Sequence, residues 1–175
     1  METDRIILRK WTLEDVDILV KNLNNEQMSN ELGTDYPYSH ENAYRYIDDA
    51  IKYSKEKYAI VLKKNMIVVG GCGIHFASSS VSCNIWIAPS YQGIGLGTET
   101  LFLLAKHCFY DLNIEKLENV FFAENNASKQ MQEKLGAVVC EGNEEIVVNG
   151  KKRLKRKSII SRENFEKLIL LLQRK

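Results

Sequence analysis

A loop of alternating glycines carries the strongest chemical signal in this sequence. Gly93, Gly95 and Gly97 stand at every second position within the segment Gln92–Thr98. Glycine adopts positive φ without strain and lets a ligand approach the backbone closely. A strand-like apolar run precedes the loop and a helix-like run follows it, so unpaired amides at the helix start can hold phosphate oxygens. The pattern predicts a phosphate-binding loop, and a tight strand-to-helix turn without a ligand is the alternative.

The residues around the glycines separate three kinds of phosphate loop. A Walker loop requires Gly-Lys-Ser/Thr, whereas Gly97 is followed by Thr98 and Glu99. A dinucleotide-binding loop that begins at Gly93 requires glycine or alanine where this chain has Thr98. Neither of these two patterns fits. The pattern that does fit is a Gln or Arg, then Gly, then Gly or Ala, written here as Gln92-x-x-Gly95-x-Gly97.

This spacing resembles the pyrophosphate-binding pattern of the GNAT superfamily of N-acetyltransferases. Two further segments resemble the branch of that superfamily that acetylates ribosomal-protein N-termini and related substrates. The first is Ile85–Gln92, which leads into the loop through a Trp, a Pro and a Tyr. The second runs from Glu124–Ser128 to Glu133–Ala137. Both occur in the expected order, and with weaker matches at both ends the resemblance covers nearly the whole chain.

The resemblance implies an α/β (α+β) GNAT fold, in which a mixed and mostly antiparallel central sheet is flanked by helices. It also implies that a splayed pair of strands holds acetyl-CoA, the acetyl donor, and that a primary amine is the acceptor. The cofactor-binding residues that it carries over are Trp86, Ile87 and Ala88 for the pantetheine arm and thioester, Gln92, Gly93, Ile94, Gly95, Leu96, Gly97 and Thr98 for the pyrophosphate, and Asn125 and Ser128 for the amide-rich arm and the sulfur.

Direct transfer to an amine requires a neutral nucleophile, a polarised carbonyl and a proton for the departing thiolate. By the resemblance, Ser128 is the candidate catalytic residue that assists this thiolate. Many other GNAT enzymes use a Tyr at the position that Gln132 occupies here, so a Tyr mechanism is not available. The alternative for Asn125 and Ser128 is an ordinary helix N-cap with a polar first turn.

The general base is less well marked. Relatives of the ribosomal branch often carry Glu where this chain has Ser82. His75 is the second candidate catalytic residue because the ordinary pKa of histidine suits a base, and a structural His is the alternative. Glu31, Asp35 and Tyr36 are the candidate substrate-binding residues, since the loop between the first two helices lines the acceptor cleft in the family. A solvated loop is the alternative for these three.

Length and charge limit the class of protein. The 175 residues suit a single N-acetyltransferase domain spanning 1–175. With 24 Lys and Arg against 23 Asp and Glu, the formal charge of +1 gives no overall field for nucleic acid or membranes. No run reaches the roughly 18 apolar residues of a membrane span, and the amino terminus does not resemble a signal peptide. A cytoplasmic protein without a membrane partner is expected, and any recognition of nucleic acid would have to depend on a local patch of charge.

The four cysteines form no Cys-x-x-Cys pair, and no histidine stands at metal-ligand spacing. We therefore expect four buried thiols and no metal. None of the cysteines is assigned as a nucleophile, because none lies beside a recognisable His base.

Apolar periodicity predicts the remaining elements. The predicted strands are a short run at Ile6, then Tyr58–Leu62, Met66–Ile74, Val81–Ile87, Leu117–Ala123 and Ala137–Cys140, and a hairpin around Asn149-Gly150. The predicted helices begin near Thr12, Ser39, Thr98 and Ala127, with a loop over Asn30–Tyr38. The helix after Ser39 is predicted to carry Tyr44, Ile47, Ala50 and Ile51 on one apolar face.

Two features leave partners open. Phe165, Leu168, Ile169 and Leu172 form an apolar stripe that packs on its own domain or makes a homodimer contact. The basic run Lys151–Lys157 is a solvated hairpin or a nucleic-acid patch. The expected function is acetyl-CoA-dependent acetylation of a small amine or a protein N-terminus. The alternatives are a ribosomal-protein N-terminal alanine/serine acetyltransferase, a non-catalytic CoA-binding sensor and a nucleic-acid-binding module.

Overall fold

The first four strands form one sheet in the order β1-β2-β3-β4 in the computed structural model, which describes residues 1–53 and 56–173. The strands are β1 (Ile6–Arg9), β2 (Lys57–Leu62), β3 (Ile67–Phe76) and β4 (Val81–Ile87). β2 pairs antiparallel with both β1 and β3. The predicted hairpin between β2 and β3 is confirmed, and its turn ends at Met66 with a φ of 58°.

The later strands form a second sheet in which β8 (Lys151–Ser161) is central. β8 pairs antiparallel with β5 (Lys116–Phe122), β6 (Val138–Val139) and β7 (Glu144–Val148). Asn149 and Gly150 join β7 to β8 with φ values of 49° and 74°. Two consecutive positive φ values match the type I′ turn that Asn-Gly favours, so the predicted hairpin is confirmed.

Six α-helices are present in the described residues. They are α1 (Val16–Leu23), α2 (Glu26–Leu32), α3 (His40–Tyr53), α4 (Leu96–Lys106), α5 (Asn126–Glu133) and α6 (Arg162–Gln173). Helices combined with antiparallel sheets make this the predicted α/β (α+β) class. In the same described residues, no helix combines the length and the apolar character needed to cross a membrane.

Two details of the helix prediction were wrong. Asn30–Leu32 lie in α2 rather than in a loop, because Asn25 caps that helix at Met28 N and Gly33 ends it with a φ of 68°. Tyr44 and Ile51 were expected on the apolar face of α3, but they are 52% and 55% exposed. The buried face is instead made by Ala43, Ile47 and Ala50, which share the spacing i, i+4, i+7.

The chain forms two compact units. The first unit contains Met1–Gly73 and Ile85–Leu96, and the second contains Ile74–Asn84 and the chain from Gly97 onwards. In the first unit, Trp11, Leu19, Ile47 and Trp86 belong to one hydrophobic cluster. In the second, the ring centroids of Phe109 and Phe165 lie 5.2 Å apart. The single domain expected over 1–175 stays a prediction.

The apolar stripe of α6 is only partly buried. Phe165 is fully buried in the second unit, whereas Leu172 is 57% exposed. Packing of the helix on its own unit is therefore confirmed at Phe165 and does not extend to Leu172. The homodimer stays a prediction.

Candidate functional site

Residues Gln92–Leu96 of the glycine loop lie in the first unit, and the residues before Leu96 are exposed. Gly97 and Thr98, which were predicted to belong to the loop, lie in α4 and in the second unit. Gly93 and Gly95 have φ values of +77° and +88°, a region that residues with a Cβ rarely adopt. A Cβ added at Gly93 would meet no atom within 4 Å, so the loop has open space on that side. The loop ends at Leu96, the first residue of α4, which is buried and anchors the loop. These properties are those required of a backbone that holds an anion.

Gln92, the first residue of the motif, ties the loop to the end of β4. Its Nε2 donates a hydrogen bond to the carbonyl oxygen of Ile87 at 2.8 Å, and it also lies 3.9 Å from the sulfur of Met28. The side chain therefore shapes the loop from within. Binding of pyrophosphate by Gln92 stays a prediction.

Arg5 lies beside the loop, and the sequence analysis missed it. Its Nη1 donates to the carbonyl oxygen of Ile94 at 3.1 Å. Its Nη2 lies 3.5 Å from the position that a Cβ would take on Gly95. A guanidinium matches phosphate geometry well because it offers several donors in one plane. No sequence pattern could have indicated this contact, since 89 residues separate Arg5 from Ile94.

The strand before the loop is closely packed in the first unit. Trp86, Ile87 and Ala88 are all buried. A Cβ on Gly70 would come within 2.3 Å of the Trp86 carbonyl oxygen, and one on Gly71 within 2.6 Å of its indole nitrogen. The two glycines of β3 thus make room for Trp86. The Trp86 ring is therefore a core group.

The backbone of Ala88 is already paired. Its N–H donates to Val69 O at 2.8 Å, and its carbonyl accepts from Tyr91 N at 2.8 Å. The carbonyl of Ile87 accepts from Gln92. Contacts of Trp86, Ile87 and Ala88 with pantetheine stay predictions.

Asn125 and Ser128 lie at the start of α5 in the second unit. The Oδ1 of Asn125 accepts a hydrogen bond from Ser128 N at 2.9 Å, which makes Asn125 the N-cap of this helix. The Oγ of Ser128 accepts from Gln132 Nε2 at 3.3 Å. The capping hydrogen bond occupies the side-chain oxygen of Asn125. Contacts of Asn125 and Ser128 with the cofactor stay predictions.

Buried polar groups continue beyond Ser128. The Ser158 hydroxyl donates to Gln132 Oε1, and Gln132 and Ser158 are 2% and 0% exposed. Opposite Ser158 in the register, Asn119 on β5 accepts from the backbone N–H of Cys83 on β4 at 2.8 Å. In the sequence, Gln132 is marked only by the absence of the family Tyr, and no pattern marks Asn119 or Ser158.

Of the remaining candidates, His75, Asp35 and Tyr36 are exposed and Glu31 is half-buried. His75 is exposed near the end of β3 in the second unit. In the first unit, Glu31 accepts from Gln27 Nε2 at 2.8 Å, and Asp35 accepts from Asn42 Nδ2 at 2.7 Å. Tyr36 is 56% exposed. The catalytic role of His75 and the acceptor-binding roles of the other three stay predictions.

The four cysteines are free thiols. Cys72 and Cys108 are buried, whereas Cys83 and Cys140 are half-buried, so the expectation of four buried thiols was wrong for two of them. Burial raises the pKa of the Cys72 thiol well above its ordinary value, which disfavours the nucleophilic thiolate at that position.

The basic run on β8 is largely neutralised within the second unit. Lys152 pairs with Glu145 at 2.8 Å and Lys155 pairs with Glu144 at 3.2 Å, both across the hairpin. Arg153 pairs with Glu124 at 2.7 Å. These contacts favour a solvated hairpin over a patch that binds phosphates.

Comparison with known proteins agrees with this combination of fold and loop. The Acetyltransferase (GNAT) domain of a known protein family matches residues 5–138. An uncharacterized N-acetyltransferase of Bacillus subtilis, YoaA, is 24% identical over 143 residues, which cover 78% of this chain and 81% of that protein.

Solved structures agree at the level of the fold. An acetyltransferase (GNAT family) from Bacillus anthracis superimposes with a TM-score of 0.83 at 16% identity, over 93% of this chain and 98% of that one. The spermidine N-acetyltransferase from Vibrio cholerae, solved with CoA and spermine, has a TM-score of 0.77 at 20% identity, over 94% and 99% of the two chains.

The chain belongs to the GNAT family of acetyltransferases. It is therefore an acyltransferase with the GNAT fold, and both predictions are confirmed. The family uses acetyl-CoA.

Proposed function

We propose that this protein transfers the acetyl group of acetyl-CoA directly to a primary amine, either a small molecule or a protein N-terminus. The observation that carries the proposal is the open backbone of the glycine loop, where Gly93 and Gly95 take positive φ and a Cβ at Gly93 would meet nothing within 4 Å. A backbone of this kind fits the pyrophosphate of CoA. Arg5, beside Ile94, supplies a positive charge for the same group.

The residues present suit direct transfer better than a covalent intermediate. A covalent route needs an activated nucleophile, and the buried Cys72 has a raised thiol pKa. In direct transfer the amine attacks the thioester carbonyl, and the departing sulfur needs a hydrogen-bond donor. Ser128 is the proposed donor, because its oxygen is already held by Gln132 at 3.3 Å. His75 remains the proposed base.

The proposed acceptor is a class of molecule, the primary amines. The ribosomal-protein N-terminal acetyltransferase is the second candidate, because the Trp86 and Asn125–Ser128 segments resemble that branch. Spermidine, a polycation, is less favoured, since the chain has no acidic excess at a formal charge of +1 and has Gln132 in place of the Tyr used by many relatives. A cytoplasmic location and a homodimer belong to the proposal and await their own tests.

An acetyl-CoA turnover screen tests the proposal. Release of CoA thiol would be followed with small amines, aminoglycosides, polyamines and peptides with free N-termini as acceptors. Acetyl-CoA should raise the melting temperature, because a ligand bound only by the folded state stabilises it. Thiol release with one acceptor class supports the enzyme and identifies the acceptor. A melting shift without turnover by any acceptor would favour the CoA-binding sensor, and no shift at all would contradict the proposal.

A further inference from the structure

A buried chain of polar side chains in the second unit leads to Ser128. Gln132 follows Ser128 by one turn of α5, and Ser158 faces it from β8. Both Gln132 and Ser158 are almost fully buried, at 2% and 0% exposure. Buried polar groups cost stability unless they are hydrogen-bonded. Ser158 donates a hydrogen bond to Gln132, and Gln132 in turn donates a hydrogen bond to Ser128.

The chain of hydrogen bonds has a direction, because an amide has one donor end and one acceptor end. Gln132 Oε1 can only accept, so the Ser158 hydroxyl donates its proton to it. Gln132 Nε2 can only donate, so the Ser128 oxygen accepts at 3.3 Å. The hydroxyl proton of Ser128 is thereby left to be donated elsewhere. Among residues 1–53 and 56–173, no protein group accepts it.

The backbone of Ser128 is held as well. Its N–H donates to Asn125 Oδ1 at 2.9 Å, which fixes the third residue of α5. Asn125 thus positions the backbone of Ser128, and Gln132 positions its oxygen. A serine held at both its backbone N–H and its hydroxyl oxygen loses little conformational freedom when the hydroxyl donates a hydrogen bond.

We propose that Gln132, anchored by Ser158, is a positioning residue that directs the Ser128 hydroxyl proton to the leaving sulfur. This inference rests on the function proposed above. In the transfer, the amine nitrogen bonds to the carbonyl carbon, and the carbon–sulfur bond breaks with its electron pair on sulfur. The proton lost by the nitrogen passes to His75, the proposed base, and from there to solvent, and the sulfur takes a proton from solvent. Ser128 keeps its own proton and stabilises the developing thiolate by a hydrogen bond.

The pKa of the thiol of bound CoA tests the proposal without any acceptor. A hydrogen bond donated to the thiolate lowers the pKa of the thiol below that of free CoA. The complex of the protein with CoA would be titrated by the ultraviolet absorbance of the thiolate. We expect the pKa to be about 1–2 lower in the wild-type complex than in free CoA, the size expected of a hydrogen bond to a charged group.

Substitutions at Gln132 should remove this shift. Gln132→Met has a similar length but cannot donate to Ser128, so the pKa of the bound thiol should return toward that of free CoA. In Gln132→Glu, the ionised carboxylate accepts a hydrogen bond from the Ser128 hydroxyl, which is then not donated to the thiolate. This variant should therefore also abolish the pKa shift. Gln130→Met is the matched control, because Gln130 lies on the same helix with an exposed side chain. It should leave the thiol pKa unchanged.

The thiol pKa and CoA binding together separate the positioning role of Gln132 from the proposed function. A wild-type pKa in folded Gln132→Met, with CoA still bound, would overturn the positioning role and leave the proposed function intact. Failure of the wild-type protein to bind CoA would overturn both. If Gln132→Met does not fold, Ser158→Ala takes its place, because it removes the anchor of Gln132. Loss of the shift in Ser158→Ala supports the proposal, and a wild-type shift contradicts it.

Discussion

The glycine loop and the Ser128 segment are built from different parts of the polypeptide. Gln92–Leu96 presents backbone groups in an open loop, with two glycines at positive φ. Ser128 is held by side chains, namely Asn125 Oδ1 on its N–H and Gln132 Nε2 on its oxygen. A backbone site tolerates changes of side chain but not of backbone conformation. A side-chain site has the opposite sensitivity, so the two regions should respond differently to mutation.

The largest expected effect is loss of cofactor binding in Gly95→Val. A β-branched residue disfavours the φ of +88° and would project toward Arg5. Acetyl-CoA should then cause no rise in melting temperature, while the apo protein still unfolds cooperatively. Gly142→Val is the control matched for backbone conformation, because Gly142 has a φ of +86° in a loop of the second unit and a Cβ there would meet nothing within 4 Å. Normal acetyl-CoA binding by Gly95→Val would remove the glycine loop from the proposed site.

Ser128→Ala should have the opposite signature. Turnover is expected to fall roughly 10–10⁴-fold, the range from weak to strong assistance of the departing thiolate. The melting shift with acetyl-CoA should persist, because the loss falls on the reaction step rather than on binding. Steady-state kinetics with the best acceptor would measure this. Full turnover with only a lower melting temperature would make Ser128 a structural residue of the helix start.

Arg5→Gln tests whether the glycine loop binds acetyl-CoA through its backbone alone. Loss of a charge-assisted hydrogen bond to phosphate should weaken acetyl-CoA binding about 10–100-fold, as measured by calorimetry. Acetyl-pantetheine has no pyrophosphate, so its kcat/KM should be the same for the variant and the wild type. Arg5→Lys should lie between the two, since it keeps the charge without the planar group. Equal losses with both donors would indicate a structural role for Arg5.

Paired substitutions at Asn125 separate its cap from its proposed cofactor contact. Asn125→Ala should lower the free energy of unfolding by about 1 kcal/mol, because Ser128 N loses its cap. Asn125→Asp keeps the acceptor and should retain that stability in denaturant titrations. If the Asn125 amide also donates to the cofactor, only acetyl-CoA affinity should fall in the aspartate variant. Unchanged affinity in Asn125→Asp would limit the residue to capping.

The smallest effect is expected from replacing Lys151, Lys152, Lys155 and Arg156 together by Gln. Lys152 and Lys155 already pair with Glu145 and Glu144, so acetyl-CoA affinity should be nearly unchanged. Titration of the wild type with RNA over a range of salt concentrations completes the test. Tight, salt-dependent RNA binding that the replacement abolishes would favour the nucleic-acid-binding module instead.

Local patterns were sufficient for most of the elements. Alternating apolar residues located β4 at Val81–Ile87 without error, and Asn149-Gly150 located the β7–β8 hairpin. Both signals depend on neighbouring residues, which is why they can be read along the chain. The face of α3 was harder to predict. Tyr44 and Ile51 are apolar enough to suggest burial, but the helix buries the smaller Ala43 and Ala50 beside Ile47.

The sequence by itself determined the family, the position of the glycine loop and the candidacy of Ser128, because these depend on residue types at short spacing. Only the tertiary structure showed what surrounds them. Arg5 reaches Ile94 across 89 residues, Ser158 reaches Gln132 across 26, and Asn119 reaches Cys83 across 36. Each contact joins two elements whose distance in space is set by sheet pairing and core packing. No short segment encodes that distance, so the partners of the proposed site emerge only when the chain is folded.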